Sequence, residues 1–361
     1  MRGGRVAYER PWMETGINTN LSVESNQVMN AENEIPMTKV KESIPPTPSR
    51  SVIPFSVASL QQYTDSFSEA NIILEDKLGK IYRADIPDGK KLMVMKIDIR
   101  ESTLSNDEFR NLAFHVFELQ HPNILELIGY CTEYGQRLLV YTYFSGRTLH
   151  DILHDENDIK RKLSWNARIE VALGAARALE YLHEGCQSPI IHQKFESSSI
   201  LLDNELSVCV CDCGLASISS PSNSVSQISR QMQSLFSYEP PEIRDSGTHS
   251  DRSDVYSFGV VMLELLTGRE PYDSSRPRAE QYLVRWASTQ LHDINTLKRM
   301  VDSSIAGKYP VKSLSRFADI ISRCIQEGSE FRPPISEVVQ DLSRMVQVIK
   351  TEDEKSHGKT D

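Results

Sequence analysis

The sequence predicts an α+β fold in two lobes: a small antiparallel β lobe with one helix, then a larger, mainly helical lobe. Strand-like runs cluster between residues 71 and 143, whereas apolar residues at helical spacing dominate beyond Thr148. Of the 361 residues, 39% are hydrophobic and 25% are charged, which is ordinary globular usage. This length allows roughly two domains or one large bilobal domain.

The beginning of the chain differs from the rest in composition. Residues 1–50 are rich in Asn, Glu, Ser and Pro and show no sustained apolar period, which predicts a disordered leader over residues 1–54. Two lysines and four arginines balance six glutamates there, so the leader is not a polybasic anchor for anionic lipid. Residues 348–361 predict a polar tail, which leaves 55–347 as the folded domain.

The small lobe, at about residues 70–144, is predicted from five strand-like runs and one helix. The runs are 71–74, 80–86, 91–97, 125–130 and 137–143. Ser105 and Glu108 fit a capping box, and apolar residues follow it at helical spacing. These apolar residues are Phe109, Leu112, Ala113 and Val116.

The large lobe, at about residues 145–347, is predicted from three long helical patterns. One runs from Trp165 to His183, a second follows Asp254, and the last runs from Ile335 to Ile349.

Charge, cysteines and hydropathy exclude several classes of protein. The formal net charge of −10 argues against nucleic-acid binding through a basic face. Six scattered cysteines predict reduced thiols in a cytosolic compartment. Cys209, Cys211 and Cys213 alternate on one strand face, where core packing is favoured over zinc binding. No window of 18 apolar residues or secretory pattern is present, which predicts a soluble, intracellular chain without a membrane span.

Several motifs, in order along the chain, resemble those of protein kinases. Met93–Lys96 resembles the strand that ends in the phosphate-binding lysine, and Asp212–Gly214 resembles the metal-binding Asp-Phe-Gly. Pro240–Glu242 follows at the spacing of Ala-Pro-Glu. The resemblance covers about residues 70–347 and implies a bilobal protein-kinase-like fold.

The same resemblance implies structural roles for five residues. Asp254 stands where the kinase aspartate braces the backbone of the catalytic loop, and His192 is expected to brace the same loop. Arg332 stands where the partner of Glu242 is expected, and Gly214 closes the metal-binding motif.

Four longer runs are similar to the plant STRUBBELIG-receptor family, leucine-rich-repeat receptor-like kinases with an atypical intracellular domain. The runs are SLQQYTDSFSEANI, GYCTEYGQRLLVY, VVMLELLTGREP and KSLSRFADIISRCIQ. The resemblance implies family members anchored by one membrane helix, which makes residues 1–54 a juxtamembrane-like leader. It also implies signalling partners, including an active kinase, and a cytoplasmic domain that lies at the plasma membrane in a full-length receptor.

The parts that would bind nucleotide depart from the kinase pattern. Leu74–Gly79 aligns with the glycine loop but keeps only Gly79 of its three glycines. Lys96 is expected to face the phosphates, yet Leu112 stands where its glutamate partner would be. Glu108 is an alternative partner, about 6 Å earlier along the helix.

The catalytic loop departs furthest. His192–Ser199 stands in place of His-Arg-Asp-x-Lys-x-x-Asn. Lys194 replaces the base, Glu196 reverses the charge of the lysine that neutralises the phosphoryl group, and Ser199 replaces a metal ligand. We interpret Lys194 and Glu196 as a solvated ion pair or, alternatively, as a contact surface for a partner.

Few cofactor-binding positions are retained. Asp212 can hold one metal ion weakly, and Tyr141 is expected to narrow the back of the nucleotide pocket, so ATP and Mg²⁺ are expected to bind weakly at most. The loop Ser217–Ser237 is serine-rich, with Arg230 as its only charged residue. We interpret it as a flexible loop or, alternatively, as a site phosphorylated by another kinase.

The sequence therefore favours a pseudokinase that signals by binding other proteins. One alternative is an atypical active Ser/Thr kinase that transfers the γ-phosphate of ATP to protein hydroxyls. In that case Glu196 is the only acidic residue within the loop that could serve as base. Another alternative is a sensor that binds ATP without transferring phosphate, and ligand would then stabilise its fold.

Overall fold

The chain folds into the two predicted lobes, and its buried apolar side chains form three clusters. The computed structural model describes residues 51–357 except 77, 99–103, 155–162 and 219–236. Residues 1–50 of the predicted leader, most of the serine-rich loop and the end of the predicted tail lie outside the described residues.

A six-stranded sheet forms most of the small lobe. Its strands are β1 Ile53–Pro54, β2 Ile72–Asp76, β3 Gly79–Asp85, β4 Lys91–Ile97, β5 Leu127–Cys131 and β6 Leu138–Thr142. They lie in the order β1-β5-β6-β4-β3-β2. β2 to β6 pair antiparallel, as predicted, and β1 pairs parallel with β5.

β1 and the following helix α1, Val57–Tyr63, are elements that the sequence pattern does not predict. A strand of two residues is too short to show an alternation of apolar and polar residues. It is held to the sheet beside Phe55, whose N–H donates to the carbonyl of Tyr130 at 2.8 Å. Gly129 permits this approach, because a Cβ there would lie 2.4 Å from the carbonyl oxygen of Ile53. The small lobe therefore begins near residue 53.

Helix α2, Asn106–Phe117, begins at the predicted capping box. The Ser105 hydroxyl accepts from the Glu108 N–H, and the Glu108 carboxylate accepts from the Ser105 N–H. Its predicted apolar residues are all buried against the sheet. Local sequence thus determines both the start and the buried face of this helix.

The side chains of β4 alternate between two apolar clusters on opposite faces of the sheet. Met93, Met95 and Ile97 belong to an inner cluster shared with α2 and with Leu201 and Cys211 of the large lobe. Leu92 and Val94 belong to an outer cluster on the other face. The other buried members of the outer cluster are Val57, Leu60, Ala84, Cys131, Leu138 and Val140. The inner face is therefore the one turned toward the large lobe.

The large lobe contains eight helices and a small sheet among the described residues. The helices are α3 Leu149–His154, α4 Trp165–Glu180, α5 Pro241–Ser246, α6 Asp251–Thr267, α7 Leu283–Ala287, α8 Ile294–Met300, α9 Val311–Cys324 and α10 Ile335–His357. The sheet contains β7 Gly146–Thr148, β8 Ile200–Asp203 and β9 Val208–Val210, all antiparallel. A π turn, Tyr181–Gly185, follows α4, so this helix ends earlier than predicted, whereas α10 continues past Ile349 into the predicted tail.

Cys209, Cys211 and Cys213 are buried as packing groups, but they do not share one strand face as predicted. None of the six cysteines forms a disulfide. β9 ends at Val210, so only Cys209 lies in it, and Cys209 and Cys211 belong to the inner cluster whereas Cys213 packs in the core of the large lobe. Burial raises the pKa of Cys209 to about 12. These buried side chains contribute to apolar packing.

Candidate functional site

A buried aspartate on α6 holds the backbone of the segment that resembles the catalytic loop. Asp254 is 1% exposed, and its carboxylate accepts from the N–H of His192 at 2.7 Å and from that of Gln193 at 2.9 Å. The His183 ring adds a third hydrogen bond, at 2.8 Å. Gln193 has a positive φ of 66°, which a non-glycine residue adopts only under tertiary constraint. Asp254 thus fixes the shape of the loop, as the resemblance implies.

His192 joins this loop to the strand before Asp212. Its Nε2 donates to the carbonyl of Cys211 at 3.0 Å, and its ring packs edge-on against Phe195. Burial lowers the pKa of His192, so the ring remains neutral at pH 7. The residue connects two segments of backbone and has the geometry of a structural group.

Lys194 and Glu196 form an ion pair in the middle of the loop. The Lys194 ammonium lies 3.7 Å from Glu196 Oε1, and both side chains are partly buried. The Ser198 hydroxyl donates to the same oxygen at 2.7 Å. The Glu196 carboxylate is therefore engaged within its own loop.

Ser199 directs its hydroxyl back into the same loop. The residue is 2% exposed, and its Oγ donates to the carbonyl of Glu196 at 2.8 Å and accepts from the Glu196 N–H at 3.2 Å. Ser199 stands where a kinase has a metal-binding asparagine, and here its hydroxyl closes a short backbone turn.

Asp212 and Tyr141 lie near one another at the inner face of the small lobe. Asp212 has a φ of 62° and begins a turn in which its carbonyl accepts from the Leu215 N–H at 3.2 Å. Gly214, in the same turn, also has a positive φ, of 76°, which favours glycine. Burial, followed by the charge of Asp212, raises the pKa of Tyr141 well above its ordinary value, so its phenol is neutral. Tyr141 is 3% exposed and belongs to the inner cluster, and its place at the back of a nucleotide pocket stays a prediction.

Lys96 lies on the outer face of the sheet, which corrects the expectation that it faces a nucleotide. It is in register with Lys80 of β3 and with Leu138, a member of the outer cluster. Its ammonium lies 4.7 Å from the centroid of the Phe67 ring. Met95, one residue earlier and 1% exposed, takes the inner position. Successive strand residues point to opposite faces, so Lys96 cannot share the inner face with Met95.

The stretch aligned with the glycine loop is a short connection between two strands. Asp76 of β2 pairs with Gly79 of β3, which leaves residues 77 and 78 between them. Leu78 is 5% exposed and belongs to the inner cluster. Gly79 has a φ of 151°, and a Cβ there would lie 2.0 Å from the carbonyl oxygen of Lys96. Contact between strands alone explains this glycine, without a phosphate.

Neither Leu112, at the position of the kinase glutamate, nor Glu108, the alternative partner, pairs with Lys96. Leu112 is buried in the inner cluster, as expected for core packing. The Glu108 carboxylate caps α2, and its hydrogen bond from the Ser105 N–H lowers the pKa of Glu108. Within the described residues Lys96 has no salt bridge, so Glu108 does not replace the missing glutamate.

The register of β4 predicts a large loss of stability for one substitution and a small loss for its neighbour. Met95→Lys places an ammonium in the inner cluster and is expected to lower the free energy of unfolding by about 3–5 kcal/mol. Lys96→Met removes one half-buried cation–π contact and is expected to cost less than about 1 kcal/mol. Urea unfolding of the two variants and the parent chain measures both effects. A larger loss for Lys96→Met would contradict the register.

An ion pair anchors the segment Pro240–Glu242. The two guanidinium nitrogens of Arg332 donate to the two carboxylate oxygens of Glu242 at 2.5 and 2.8 Å. Arg332 is 2% exposed and lies over the ring of Tyr256. The predicted pair is therefore bidentate and largely removed from water.

A buried polar network beneath the catalytic loop is not predicted from the sequence. Glu264 of α6 accepts from Ser197 at 2.8 Å, from Tyr238 at 2.7 Å and from His154 at 3.0 Å. The one available signal is a single acidic residue within the apolar run VVMLELLTG. Its partners are distant in sequence, so the pattern alone could not identify them.

A match to a protein-family model agrees with the fold and the order of these segments. The model, described as protein tyrosine and serine/threonine kinase, matches residues 70–342. The chain therefore belongs to the protein tyrosine and serine/threonine kinase family. Proteins with this fold generally bind ATP and Mg²⁺.

Within that family the chain is homologous to the kinase domains of the STRUBBELIG-receptor family. It is 56% identical over 313 residues to Protein STRUBBELIG-RECEPTOR FAMILY 3 of Arabidopsis thaliana, a match that covers 86% of this chain and 40% of the relative. It is 52% identical over 299 residues to Protein STRUBBELIG of the same plant, over 82% of this chain and 38% of the relative. The chain thus spans about two fifths of these relatives.

Two further proteins match this chain over most of its length and most of their own. PTI1-like tyrosine-protein kinase 2 of Arabidopsis thaliana is 38% identical over 331 residues, 89% of each chain. Among solved structures, the pseudokinase domain of BIR2, described as an immune regulator of the RLK/Pelle family, matches with a TM-score of 0.67 and 32% identity. That match covers 82% of this chain and 89% of the BIR2 chain. Across the described part of the chain, no helix is both long and apolar enough to span a membrane.

The residues at the site fit Mg-ATP poorly. Asp212 can supply one carboxylate ligand to a divalent cation. Ser199, aligned with the second ligand, is engaged with backbone, and Met95 takes the inner position on β4. Of the two described positions aligned with metal ligands, Asp212 keeps the kinase residue and Ser199 does not.

Proposed function

We propose that this chain is the pseudokinase domain of a STRUBBELIG-type receptor-like kinase and that it signals through protein–protein contacts. The catalytic loop carries the proposal, because Lys194 occupies the base position and pairs with Glu196 at 3.7 Å. A protonated lysine has no lone pair with which to accept the proton of a substrate hydroxyl. Loss of a general base typically lowers the rate by about 10²–10⁴-fold.

The geometry of Glu196 argues against the active-kinase alternative. An active enzyme would need another carboxylate to reach the substrate hydroxyl, and Glu196 is the only acidic residue in the loop. Its carboxylate is instead engaged by Lys194 and by the Ser198 hydroxyl. The site therefore lacks an evident replacement base.

Weak or absent binding of ATP and Mg²⁺ is part of the proposal. Asp212 remains as a metal ligand, but Lys96 lies on the outer face and the aligned glycine loop is a short connection. Ligand stabilises a fold by RT ln(1 + [L]/Kd), so a weak ligand leaves the melting temperature nearly unchanged. The nucleotide-sensor alternative requires a clear increase in melting temperature.

The proposal predicts no phosphate transfer above background. The full chain is incubated with radiolabelled ATP and Mg²⁺ or Mn²⁺, beside Asp212→Asn and an active kinase as positive control. Equal signal from the chain and Asp212→Asn is expected, with no measurable shift in melting temperature at a Mg-ATP concentration that saturates the active kinase. Signal that exceeds background and disappears in Asp212→Asn would establish an active kinase with an unrecognised base.

The names of the relatives support a proposal for partners and location. Protein STRUBBELIG-RECEPTOR FAMILY 3 names a receptor family, and the chain spans about two fifths of its length. We therefore place this domain on the cytoplasmic side of the plasma membrane in a full-length receptor. Its partners are other signalling proteins, including an active kinase that supplies phosphate transfer.

A further inference from the structure

Three side chains that can bind metal converge between α3 and α6. His150 and His154 stand four residues apart on α3, and Glu264 belongs to α6. One ligand atom from each residue lies within 4.8 Å of the other two. His154 Nε2 is 3.0 Å from Glu264 Oε1, and the two imidazole ring centroids are 4.8 Å apart.

Glu264 is fully buried and has no lysine or arginine partner among residues that the structure describes. Its two other hydrogen bonds come from the neutral hydroxyls of Ser197 and Tyr238. A carboxylate buried without a positive charge is costly. A bound cation beside Glu264 is a source of positive charge that this geometry can accommodate.

The donor set and its geometry match zinc. Two histidines at i and i+4 lie on one helix face, and two imidazoles with one carboxylate are a ligand set that zinc takes, leaving a fourth position for water. Zn–N and Zn–O bonds near 2.1 Å place tetrahedral ligand atoms about 3.4 Å apart. The His154–Glu264 pair is already near this distance, and His150 needs to approach by about 1–1.5 Å, which a change in side-chain torsion supplies. Imidazole nitrogens favour zinc over Mg²⁺ or Ca²⁺.

We propose that His150, His154 and Glu264 form a binding site for Zn²⁺. His150 is only half-buried, which gives the ion a path from solvent. The Ser197 and Tyr238 hydroxyls hold the Glu264 carboxylate in place from behind.

Zinc at this site ties together four segments of the large lobe. It binds α3 and α6 directly and, through the Glu264 hydrogen bonds, the Ser197 end of the catalytic loop and Tyr238 before Pro240–Glu242. The site uses none of the residues discussed for nucleotide binding. A test of the zinc site therefore does not depend on whether the chain transfers phosphate.

Metal titration of the full chain tests the site. The chain is stripped with a chelator that is then removed, and zinc is titrated against a chromophoric competitor. Cobalt is titrated in parallel while its visible absorption is recorded. One zinc per chain is expected, with cobalt bands typical of nitrogen and oxygen ligands. His150→Ala is expected to weaken zinc binding by at least about 10-fold and to remove the cobalt bands. His115→Ala, an exposed histidine on α2, is the matched control and should change neither.

Stability measurements separate binding from folding. Zinc is expected to raise the melting temperature of the parent chain and of His115→Ala but not of His150→Ala, while all three melt alike without metal. Equal zinc affinity in the parent chain and His150→Ala would overturn the proposal. So would cobalt spectra with strong thiolate charge-transfer bands, because cysteines would then be the ligands.

Discussion

Replacing Arg332 with alanine is expected to lower the free energy of unfolding by about 3–5 kcal/mol. The guanidinium is 2% exposed and donates to both carboxylate oxygens of Glu242. It also donates to the backbone carbonyls of Arg252, Gln326 and Glu327. Its removal leaves one carboxylate and three carbonyls without this donor, and chemical denaturation at pH 7 measures the loss.

The same pair gives stability a defined pH dependence. Burial, the largest single effect, raises the pKa of Glu242, but the hydrogen bonds from Arg332, from the Glu242 backbone and from Ser253, together with the charge of Arg332, outweigh it and hold the pKa below the ordinary 4.5. A carboxyl with a lowered folded-state pKa contributes stability that is complete above its unfolded pKa. That contribution is lost as the pH falls through the folded pKa. The parent chain should therefore lose stability below about pH 4.5 through this pair, and Arg332→Ala should lack that part of the decline.

An exposed arginine provides the control for Arg332. Arg344 pairs with Asp341 at 3.0 Å, but its side chain is 67% exposed. Arg344→Ala is expected to cost less than about 1 kcal/mol, because exposed ion pairs contribute little. Equal losses for the two variants would show that the Arg332 pair does not hold the large lobe together.

Replacing Asp254 with alanine is expected to cost about 3–5 kcal/mol as well. Asp254 is 1% exposed, and its loss leaves the buried N–H groups of His192 and Gln193 without an acceptor. Gln193 then also loses the contact that holds its positive φ. Chemical denaturation measures the total, and faster amide exchange at His192 and Gln193 localises it to the loop.

The matched control lies on the same helix. Asp251 is in the first turn of α6, and its side chain is 47% exposed. Asp251→Ala is expected to cost less than about 1 kcal/mol. If it proved as destabilising as Asp254→Ala, the bracing role of Asp254 would have to be abandoned.

These two large effects concern positions that retain the kinase residue. Asp254 and Arg332 hold backbone segments in place and are kept, whereas Lys194 and Ser199 stand where a kinase would contact reacting groups. The chain thus preserves the residues that shape the loop while the residues for chemistry differ. This division is what the pseudokinase proposal requires.

Local patterns were sufficient for much of the architecture. The capping box at Ser105 and Glu108 defines the start of α2, and apolar spacing defines its buried face. The strands β2 to β6 lie within two residues of their predicted bounds. The motifs of the large lobe, in order along the chain, were enough to place Asp254, Glu242 and Arg332 in their roles. Each of these signals lies within a few residues of sequence or follows from a strong resemblance.

The direction of Lys96 and the network of Glu264 depended on contacts that no local pattern contains. The kinase motif predicts that Lys96 lies on the inner face. In the structure Met95 pairs with Ile81 on the inner face, so the next residue, Lys96, lies on the outer face. A shift of one residue in strand register exchanges the two faces, and register is set by backbone hydrogen bonds between strands and by burial of the whole apolar face. Glu264 likewise gains its partners from α3 and from two loops that meet it only when the large lobe packs. The spacing of apolar residues along the sequence thus specifies the helices and strands, while long-range packing specifies which side chains come into contact.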